Sequence, residues 1–419
     1  MTRLRVLVYP STTALGGSSL NAIELAAAVR DRGHDVAVYG RDGVLVDKVR
    51  ELGLDYIPAR PVRIPEEFTG LRAMAVPATA WDLRRVASAH GFDVLHGYEW
   101  PPIVEAYAAA QTSRRPVAVG TVMAMEFSSF IPSTIPVVVG TERLRRDVGR
   151  TRPGPVHLVE PPVDTASNHP GAVSPAGVAR FAPAPGMLQI VVVSRLAVPM
   201  KSSGILAAVR AVGRLARSRP VRLVVVGDGE AYGRIAAAAY EVNAALGRQA
   251  VVLTGELADP RPAYASADIC LGMGGSALRA MAFGKPLIVQ GESGFFEPLT
   301  PATADLFLRE GWYGIADLDP PAAERRLSRL LGELLDSPAK RAELGAFGSR
   351  LVRDRFSLEH AARTQEEIYL RATGSKPPPA RRLLDSASAG MVMTGFTARR
   401  VLGHARRRPA SRDDTARSL

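Results

Sequence analysis

Short apolar segments alternate with longer amphipathic segments along most of this chain, and this alternation restricts the possible folds more than any other feature. It predicts parallel strands joined by helices, because two parallel strands need a connection of a dozen or more residues, which is commonly a helix. The alternation runs twice, before and after a stretch rich in Pro, Gly, Ala and Ser at 166–186. The sequence therefore predicts an α/β fold with two Rossmann-like, doubly wound domains.

The domain limits follow from this pattern and from the length of 419 residues, which exceeds one ordinary hydrophobic core. We predict a first domain at 1–165, a linker at 166–186, a second domain at 187–356, a closing helix at 357–373 and a basic tail at 374–419. The predicted strands are 5–9, 35–39, 55–57, 92–96, 117–122, 137–139 and 156–159, then 188–193, 222–226, 251–254, 269–271 and 286–289. The predicted helices are 19–30, 81–89, 103–111 and 142–148, then 205–216, 231–245, 277–282, 322–335, 340–353 and 358–371.

The single cysteine, Cys270, lies in an apolar strand, so a buried hydrophobic residue is a simpler interpretation than a reactive thiol. The N-terminal MTRLRVLVYP enters a strand directly. No apolar run of about 18 residues occurs, so the sequence indicates neither a signal peptide nor a membrane span. From these features we expect a cytoplasmic protein.

The net charge of +12 is concentrated at the C-terminus. Residues 371–419 carry 11 Lys and Arg against 3 Asp and Glu, which leaves about +4 for the rest of the chain. Because aromatic residues are not interleaved with these charges, we expect no nucleic-acid partner. The tail surrounds an apolar island at 391–396, so we consider both a disordered extension and peripheral contact with an anionic inner membrane surface.

Two cations follow a buried-type strand in the second half of the chain. Arg195 ends this strand, and Lys201 comes six residues later as the next helix begins. Arginine and lysine both bind phosphate, and the glycine-rich turn from Gly274 to Ser276 precedes a helix whose free N–H groups can bind an anion. Only five of the 53 basic residues are lysines. Two of these, Lys201 and Lys285, fall in the stretches 191–204 and 271–297, which contain the strand end and the glycine-rich turn. The pattern predicts a diphosphate site.

The opening turn of the first domain has a similar composition. Gly16 and Gly17 precede a helix that we expect Ser18 or Ser19 to cap, so the backbone can approach a ligand closely at the helix N-terminus. A tight connection between strand and helix explains the same glycines without a ligand. Both interpretations of the turn are kept.

His96, Glu99 and Trp100 follow one another near the end of a predicted strand of the first domain. Open parallel sheets bind ligands at the carboxyl ends of their strands, so these residues are candidates for the acceptor side. A structural histidine at the strand end is the alternative for His96. The other histidines are not spaced as metal ligands, so we expect no metal site.

Several short segments occur in one order: the GG turn, VSRL at 193–196 followed by a lysine, VGDGE at 226–230, TGEL at 254–257, AMAFGKP at 280–286 and GFFE at 294–297. In this order they resemble the retaining, nucleotide-sugar-dependent glycosyltransferases of the GT-B fold, family 4, over roughly residues 4–373. FDVLH, VVGTERLRRD, PPVDT and FSLEHAA extend the resemblance. It implies two domains that face a cleft and a C-terminal helix that crosses back to the first domain.

The resemblance also implies roles for individual residues. Arg195 and Lys201 would hold the donor diphosphate, Glu297 would approach the sugar hydroxyls, and these three are the predicted catalytic residues. The other predicted donor-binding residues are Gly16, Gly17, Gly227, Glu256, Leu257, Gly274, Ser276, Ala277, Leu278 and Arg279. Cations and N–H groups of this kind stabilise a leaving nucleoside diphosphate without a metal, so we expect no cofactor.

The sequence departs from the family pattern at two places. Leu271 and Arg279 occupy the positions of the two glutamates in the E-x7-E element. Arg279 can only donate hydrogen bonds, so either the nucleotide is held differently or Arg279 adds a third phosphate contact. In the first domain, Met123 stands where the family often has a histidine, and the nearest ionisable group is Glu126. We interpret Met123 and Met125 as packing residues and keep Glu126 as an acceptor-side candidate.

We therefore predict a hexosyl-type transferase that moves a sugar from a nucleotide diphosphate sugar to an acceptor hydroxyl with retention of anomeric configuration. The acceptor is a small molecule, a glycan or a lipid-linked molecule. Because the family carboxylates and histidine are missing, a non-catalytic glycosyltransferase-like protein that binds a nucleotide or a partner protein is the alternative. An epimerase of the same fold is the third.

Overall fold

The computed structural model describes residues 2–61 except 15, 77–128 except 112 and 114, 131–375 except 199, and the single positions 378, 380, 384 and 387. The predicted apolar island at 391–396 and nearly all of the predicted basic tail lie outside the described residues. No helix of the described part is long and apolar enough to cross a membrane.

The first domain is built on a seven-stranded parallel sheet with the order β3-β2-β1-β4-β5-β6-β7. Its elements run β1 Arg5–Tyr9, α1 Gly17–Asp31, β2 Asp35–Gly40, α2 Leu45–Glu51, β3 Asp55–Pro58, α3 Pro77–His90, β4 Val94–Tyr98, α4 Pro102–Gln111, β5 Val117–Val122, β6 Val137–Val139, α5 Glu142–Thr151 and β7 Val156–Leu158. Buried Val, Leu, Ile and Ala side chains fill both faces of the sheet, as expected for strands covered by helices on two sides.

The second domain is built on a six-stranded sheet with the order β10-β9-β8-β11-β12-β13. Its elements run β8 Leu188–Val193, α7 Ser202–Leu215, β9 Val221–Val226, α8 Tyr232–Leu246, β10 Val251–Gly255, α9 Arg261–Ser266, β11 Ile269–Gly272, α10 Gly275–Ala282, β12 Leu287–Gln290, β13 Phe296–Pro298, α11 Ala304–Glu310, α12 Pro320–Asp336 and α13 Pro338–Arg355; a short helix α6 Pro175–Ala179 precedes β8. All pairings are parallel except the one between β12 and β13. The predicted fold of two doubly wound α/β domains is confirmed.

Five of these elements are missing from the sequence-based assignment: α2, α6, α9, α11 and β13. Each has seven residues or fewer, which is too short for a clear hydrophobic period. The segment 166–186 is also less irregular than its composition suggests, because it contains a 3-10 turn at Pro170–Ala172 and α6 at Pro175–Ala179. Ser174 caps α6 by accepting a hydrogen bond from the N–H of Gly177.

The last helix, α14 Leu358–Gly374, packs on the first domain and not on the second. Its buried side chains Ile368 and Tyr369 belong to the same core as β1 and α1. Glu366 binds Arg32 and lies 3.0 Å from the Nε2 atom of His34. The chain therefore passes from the first domain to the second and returns at its end.

Candidate functional site

The strand order of each sheet indicates a ligand-binding crevice at the corresponding position of each domain. In each sheet the order reverses beside the first strand, between β1 and β4 in the first domain and between β8 and β11 in the second. The loops that leave the carboxyl ends of such strands run in opposite directions, and ligands of doubly wound sheets bind between them. The loops after β1, β4, β8 and β11, together with the helices that follow them, carry most of the predicted site residues.

Arg195 and Lys201 lie on the loop between β8 and α7, as predicted. Arg195 is exposed, while Lys201 is half-buried and stands directly before the first residue of α7. Neither side chain has a carboxylate within 4.0 Å among the described residues, although most arginines in the described part of the chain are paired. Burial lowers the pKa of Lys201 first, and the positive charge of Arg195 lowers it further. Two neighbouring cations without carboxylate partners, one of them at a helix N-terminus, can bind an anion.

The shape of this loop depends on close backbone packing against Gly227. Gly227 has φ +139°, and a Cβ atom added there would lie 1.9 Å from the carbonyl oxygen of Ser194. Gly229 has a similar φ of +148° and approaches Leu196. Only glycine allows the VGDGE segment to support the loop of Arg195 in this way. Gly227 therefore shapes the site and is not required to touch a ligand.

The turn before α10 provides fewer free N–H groups than the sequence predicted. Gly274 has φ +54° and no side chain caps the helix. The N–H groups of Ser276, Ala277 and Leu278 all donate to carbonyl oxygens of this turn, at 3.1–3.3 Å. Their predicted role as free donors is therefore wrong for the structure as it stands. The N–H of Gly275 has no acceptor among the described residues and is the available donor.

The two positions of the family glutamates have different structural roles. Leu271 belongs to β11 and is 1% exposed in the core of the second domain. Arg279 lies on α10 with its guanidinium folded back over the first turn, where a Cβ atom at Gly275 would lie 3.2 Å from Nη1. Its Nη2 atom is 3.8 Å from Oε1 of Glu24, which belongs to α1 of the first domain. The sequence analysis did not identify Glu24, because its partner is distant in sequence and on the other domain.

On the first domain, Glu99 joins the three segments that border the crevice. It has φ +59° and lies directly after β4. Its Oε1 atom accepts hydrogen bonds from Oγ of Ser18 at 3.0 Å and from the N–H of Met123 at 2.9 Å. Burial raises the pKa of Glu99, and these hydrogen bonds oppose the rise. Glu99 thus fixes the loops after β1 and β5 relative to each other.

The opening turn leaves room beside the helix N-terminus. The N-cap of α1 is Gly16, and Gly17 is its first residue, so neither Ser18 nor Ser19 caps the helix as predicted. A Cβ atom added at Gly16 or at Gly17 would have no heavy atom within 4 Å. The turn therefore faces open space, which a ligand can occupy.

His96 is not an acceptor-side residue in this structure, because it is 0% exposed. Its two ring nitrogens lie 2.6 Å from the hydroxyl of Tyr369 and 2.7 Å from that of Thr121. Burial lowers its pKa to about 3, so the ring is neutral at physiological pH. The structural interpretation of His96 is the one that these contacts support. Glu126 is exposed and Trp100 is half-buried before a cis bond to Pro101.

Other predicted residues lie around the second domain with varied contacts. Glu297 lies in β13 and forms an ion pair with Arg326 of α12. Glu256 is exposed directly after β10, and the side chain of Leu257 packs against the core. Lys285 donates from Nζ to the carbonyl oxygen of Ala265 at 2.8 Å, which is a structural contact.

Gln290 is a buried polar residue beside the first turn of α7 that the sequence pattern did not single out. It ends β12, it is 2% exposed, and neither polar atom of its amide has a partner among the described residues. Its Oε1 atom lies 3.6 Å from the position of a Cβ atom at Gly204, in the first turn of α7. The only available sequence signal was one polar residue at the end of an apolar strand. The buried Cys270, by contrast, is a core residue whose pKa is raised to about 12 by burial.

Within the described part of the chain, no cluster of three or more His, Cys, Asp and Glu residues is placed to hold a metal ion.

Each domain contains a segment that matches a family model. Residues 188–332 match the family model described as glycosyl transferases group 1, and residues 15–134 match the model of glycosyltransferase family 4. A search of curated protein sequences found no match. The solved structures that resemble this chain include a glycosyltransferase from Rickettsia africae, which has 16% identity and a TM-score of 0.68 over 90% of this chain and 100% of that one.

Two further structures have the same architecture. Sucrose-phosphate synthase from Thermosynechococcus elongatus has 18% identity and a TM-score of 0.66, covering 89% of this chain and 100% of that one. HepE from Anabaena, solved in complex with UDP and glucose, has 16% identity and a TM-score of 0.63, covering 87% and 99%. The chain thus has the GT-B fold of glycosyltransferases, with one domain that matches each of the two glycosyltransferase models.

Proposed function

We propose that this protein is a glycosyltransferase that moves a hexose-type sugar from a nucleotide diphosphate sugar to an acceptor hydroxyl with retention of configuration. The observation that carries the proposal is the unpaired cation pair Arg195 and Lys201 at the N-terminus of α7. It lies where the strand order of the second domain reverses. We infer that the open turn of Gly16 and Gly17 completes the site from the first domain. The matches of both domains to glycosyltransferase models support this assignment.

The chemistry of glycosyl transfer explains the need for cations at this place. Breaking the bond between the anomeric carbon and the phosphate oxygen develops negative charge on the nucleoside diphosphate. We propose that Arg195, Lys201 and the N–H of Gly275 face the departing diphosphate and stabilise this charge. A metal ion is not needed for this stabilisation, and we propose that the enzyme works without one.

Calorimetry with UDP and GDP tests the donor site. Charge-assisted hydrogen bonds are worth about 1.5–3 kcal/mol, so Arg195→Ala or Lys201→Ala should weaken nucleoside diphosphate binding by roughly one to two decades. Unchanged affinity in both variants would place the donor site elsewhere. Slow hydrolysis of UDP-, GDP- and dTDP-sugars then identifies the donor, and the anomeric configuration of a product formed with an acceptor tests retention.

We further propose that Glu297 orients hydroxyls of the donor sugar. Glu297→Gln should lower turnover and leave the affinity for free UDP nearly unchanged, because the free nucleotide lacks the sugar. The ion pair with Arg326 gives the competing explanation, since both side chains are partly exposed and such pairs contribute little to stability. A parallel loss of turnover and of UDP affinity would assign Glu297 to the structure of the site.

A non-catalytic nucleotide-binding protein is the second candidate, and one observation favours it. The crevice of the second domain lacks the family carboxylates, since Leu271 is a core residue and Arg279 pairs with Glu24. In that case UDP or GDP binds with the same dependence on Lys201, but no donor sugar is consumed with any acceptor from a broad panel. Donor consumption above the rate in buffer excludes this candidate.

A further inference from the structure

Glu24 and Arg279 make a contact between the two domains. Glu24 lies on α1 and Arg279 on α10, and their side chains are 15% and 21% exposed. The contact joins Oε1 of Glu24 to Nη2 of Arg279 at 3.8 Å. The second carboxylate oxygen of Glu24 is buried and has no hydrogen-bond partner among the described residues. A buried carboxylate with a single long contact is held in an unfavourable environment, and burial accordingly raises the pKa of Glu24.

Charges of alternating sign surround this contact. Lys48, on α2 of the first domain, is close enough to lower the pKa of Glu24 and also that of Asp259 in the second domain. The hydrogen bond to Asp259 raises the pKa of Arg261 most, Asp164 adds a smaller rise, and Arg261 donates to the carbonyl oxygen of Ser167 at 3.4 Å. Opposite charges of the two domains thus face each other at Glu24 and Arg279 and at Lys48 and Asp259, which favours a defined relative arrangement.

Arg279 is only partly engaged by Glu24. Its side chain makes no hydrogen bond and no other ion pair among the described residues. Its Nη1 atom lies over the first turn of α10, 3.2 Å from the position of a Cβ atom at Gly275. The N–H of Gly275 is the free donor of that same turn. A guanidinium has five N–H donors, so Arg279 can contact Glu24 and an anion at the turn together.

We propose that Arg279 is a third cation of the phosphate site and that Glu24 is its positioning residue, supplied by the opposite domain. This inference rests on the proposed function and deepens it. Glu24 holds the guanidinium over the first turn of α10 only when the two domains have the spacing of this structure. The complete phosphate site is therefore formed by both domains.

A double-mutant cycle with UDP as the probe tests this arrangement. Arg279→Gln should weaken UDP binding about tenfold, and Glu24→Gln, which keeps the side-chain size, should weaken it by about threefold to tenfold. If Glu24 acts only through Arg279, the double variant should bind UDP within about twofold of Arg279→Gln alone. Additive losses would overturn the positioning role of Glu24.

The phosphate dependence separates this role from a general structural one. The loss in Arg279→Gln and Glu24→Gln should be greater for UDP than for uridine, because uridine has no phosphate group. Equal losses for UDP and uridine would overturn the assignment of Arg279 to phosphate. Arg279→Lys retains the charge and should recover part of the UDP affinity, which also addresses any folding defect of the glutamine variants.

A matched control is Glu359→Gln, because Glu359 is an exposed carboxylate paired with Arg363 on α14. It should bind UDP as the unmodified protein does. If Arg195→Ala and Lys201→Ala weaken UDP binding while Glu24→Gln and Arg279→Gln do not, the proposed function stands and this inference is wrong. If none of the four substitutions changes UDP binding, both are wrong.

Discussion

Replacing Lys201 with methionine should change ligand affinity and protein stability in opposite directions. Methionine keeps the apolar stem of the lysine but removes the charge. The loss of a charge-assisted phosphate contact should raise the dissociation constant of UDP by roughly one to two decades. The ligand-free protein should become more stable, because the folded state no longer holds a half-buried ammonium beside Arg195 without a carboxylate partner.

The stability gain expected for Lys201→Met should depend on pH. The folded-state pKa of Lys201 lies below the ordinary value of 10.5, so folding disfavours the charged form. The resulting loss of stability is fully present below the folded-state pKa and disappears as the pH rises through 10.5. The stability advantage of Lys201→Met should therefore be present at pH 7 and shrink as the pH rises towards that value.

Chemical denaturation of ligand-free protein at several pH values, together with calorimetry with UDP at pH 7, measures both effects. Lys340→Met is the control, since Lys340 is an exposed lysine paired with Glu333 and should leave UDP affinity unchanged. A Lys201→Met protein that loses stability and keeps its UDP affinity would refute the reasoning. That outcome would make Lys201 a structural lysine with a partner other than phosphate.

Three further predictions concern backbone packing, a buried base and the tail. Gly227→Ala should cost on the order of 2–4 kcal/mol of unfolding free energy and weaken UDP binding, whereas Gly247→Ala, at φ +63° with no atom near the added Cβ, should cost only about 1 kcal/mol in denaturant titrations. Burial lowers the pKa of His96 from 6.5 to about 3. The neutral His96 side chain therefore contributes fully to the stability of the folded state above pH 6.5, and this contribution falls as the pH drops from 6.5 towards 3. In acid denaturation, His96→Gln should remove the part of the pH dependence of the unfolding free energy that lies between pH 6.5 and pH 3. A truncation after Gly374 should bind anionic vesicles less than the full chain in low-salt co-sedimentation, and equal retention of both proteins would exclude membrane contact through the tail.

The sequence predicts most of the fold because regular elements of this protein repeat a clear pattern. The strand predicted at 117–122 is Val117–Val122 in the structure, and the one predicted at 188–193 is Leu188–Val193. The antiparallel strand Phe296–Pro298 could not be predicted, because three residues carry no period. Its pairing with β12 depends on tertiary contacts alone.

The site is predicted less completely, since its contacts join residues that are distant in sequence. Arg195 and Lys201 lie at the strand end and helix start where local signals placed them. The ring of His96 contacts the hydroxyl of Tyr369, which belongs to the last helix of the chain. Glu24 contacts Arg279 only after both domains have folded. The hydrogen bonds that occupy the Ser276 N–H likewise depend on the exact path of the turn before α10. Local sequence patterns contain no information about such pairings.

The return of α14 to the first domain has a consequence for the order in which the protein matures on the ribosome. The last strand of the first sheet ends at Leu158, but the core of that domain also requires Tyr369, and His34 binds Glu366. These helix residues are made about 200 positions later, which at about 5–20 residues per second is a delay of roughly 10–40 s. During this interval the second domain can complete its own sheet while the first domain still exposes part of its interior. The nascent first domain is therefore the part that a holding chaperone would bind, and release would follow synthesis of the C-terminal helix.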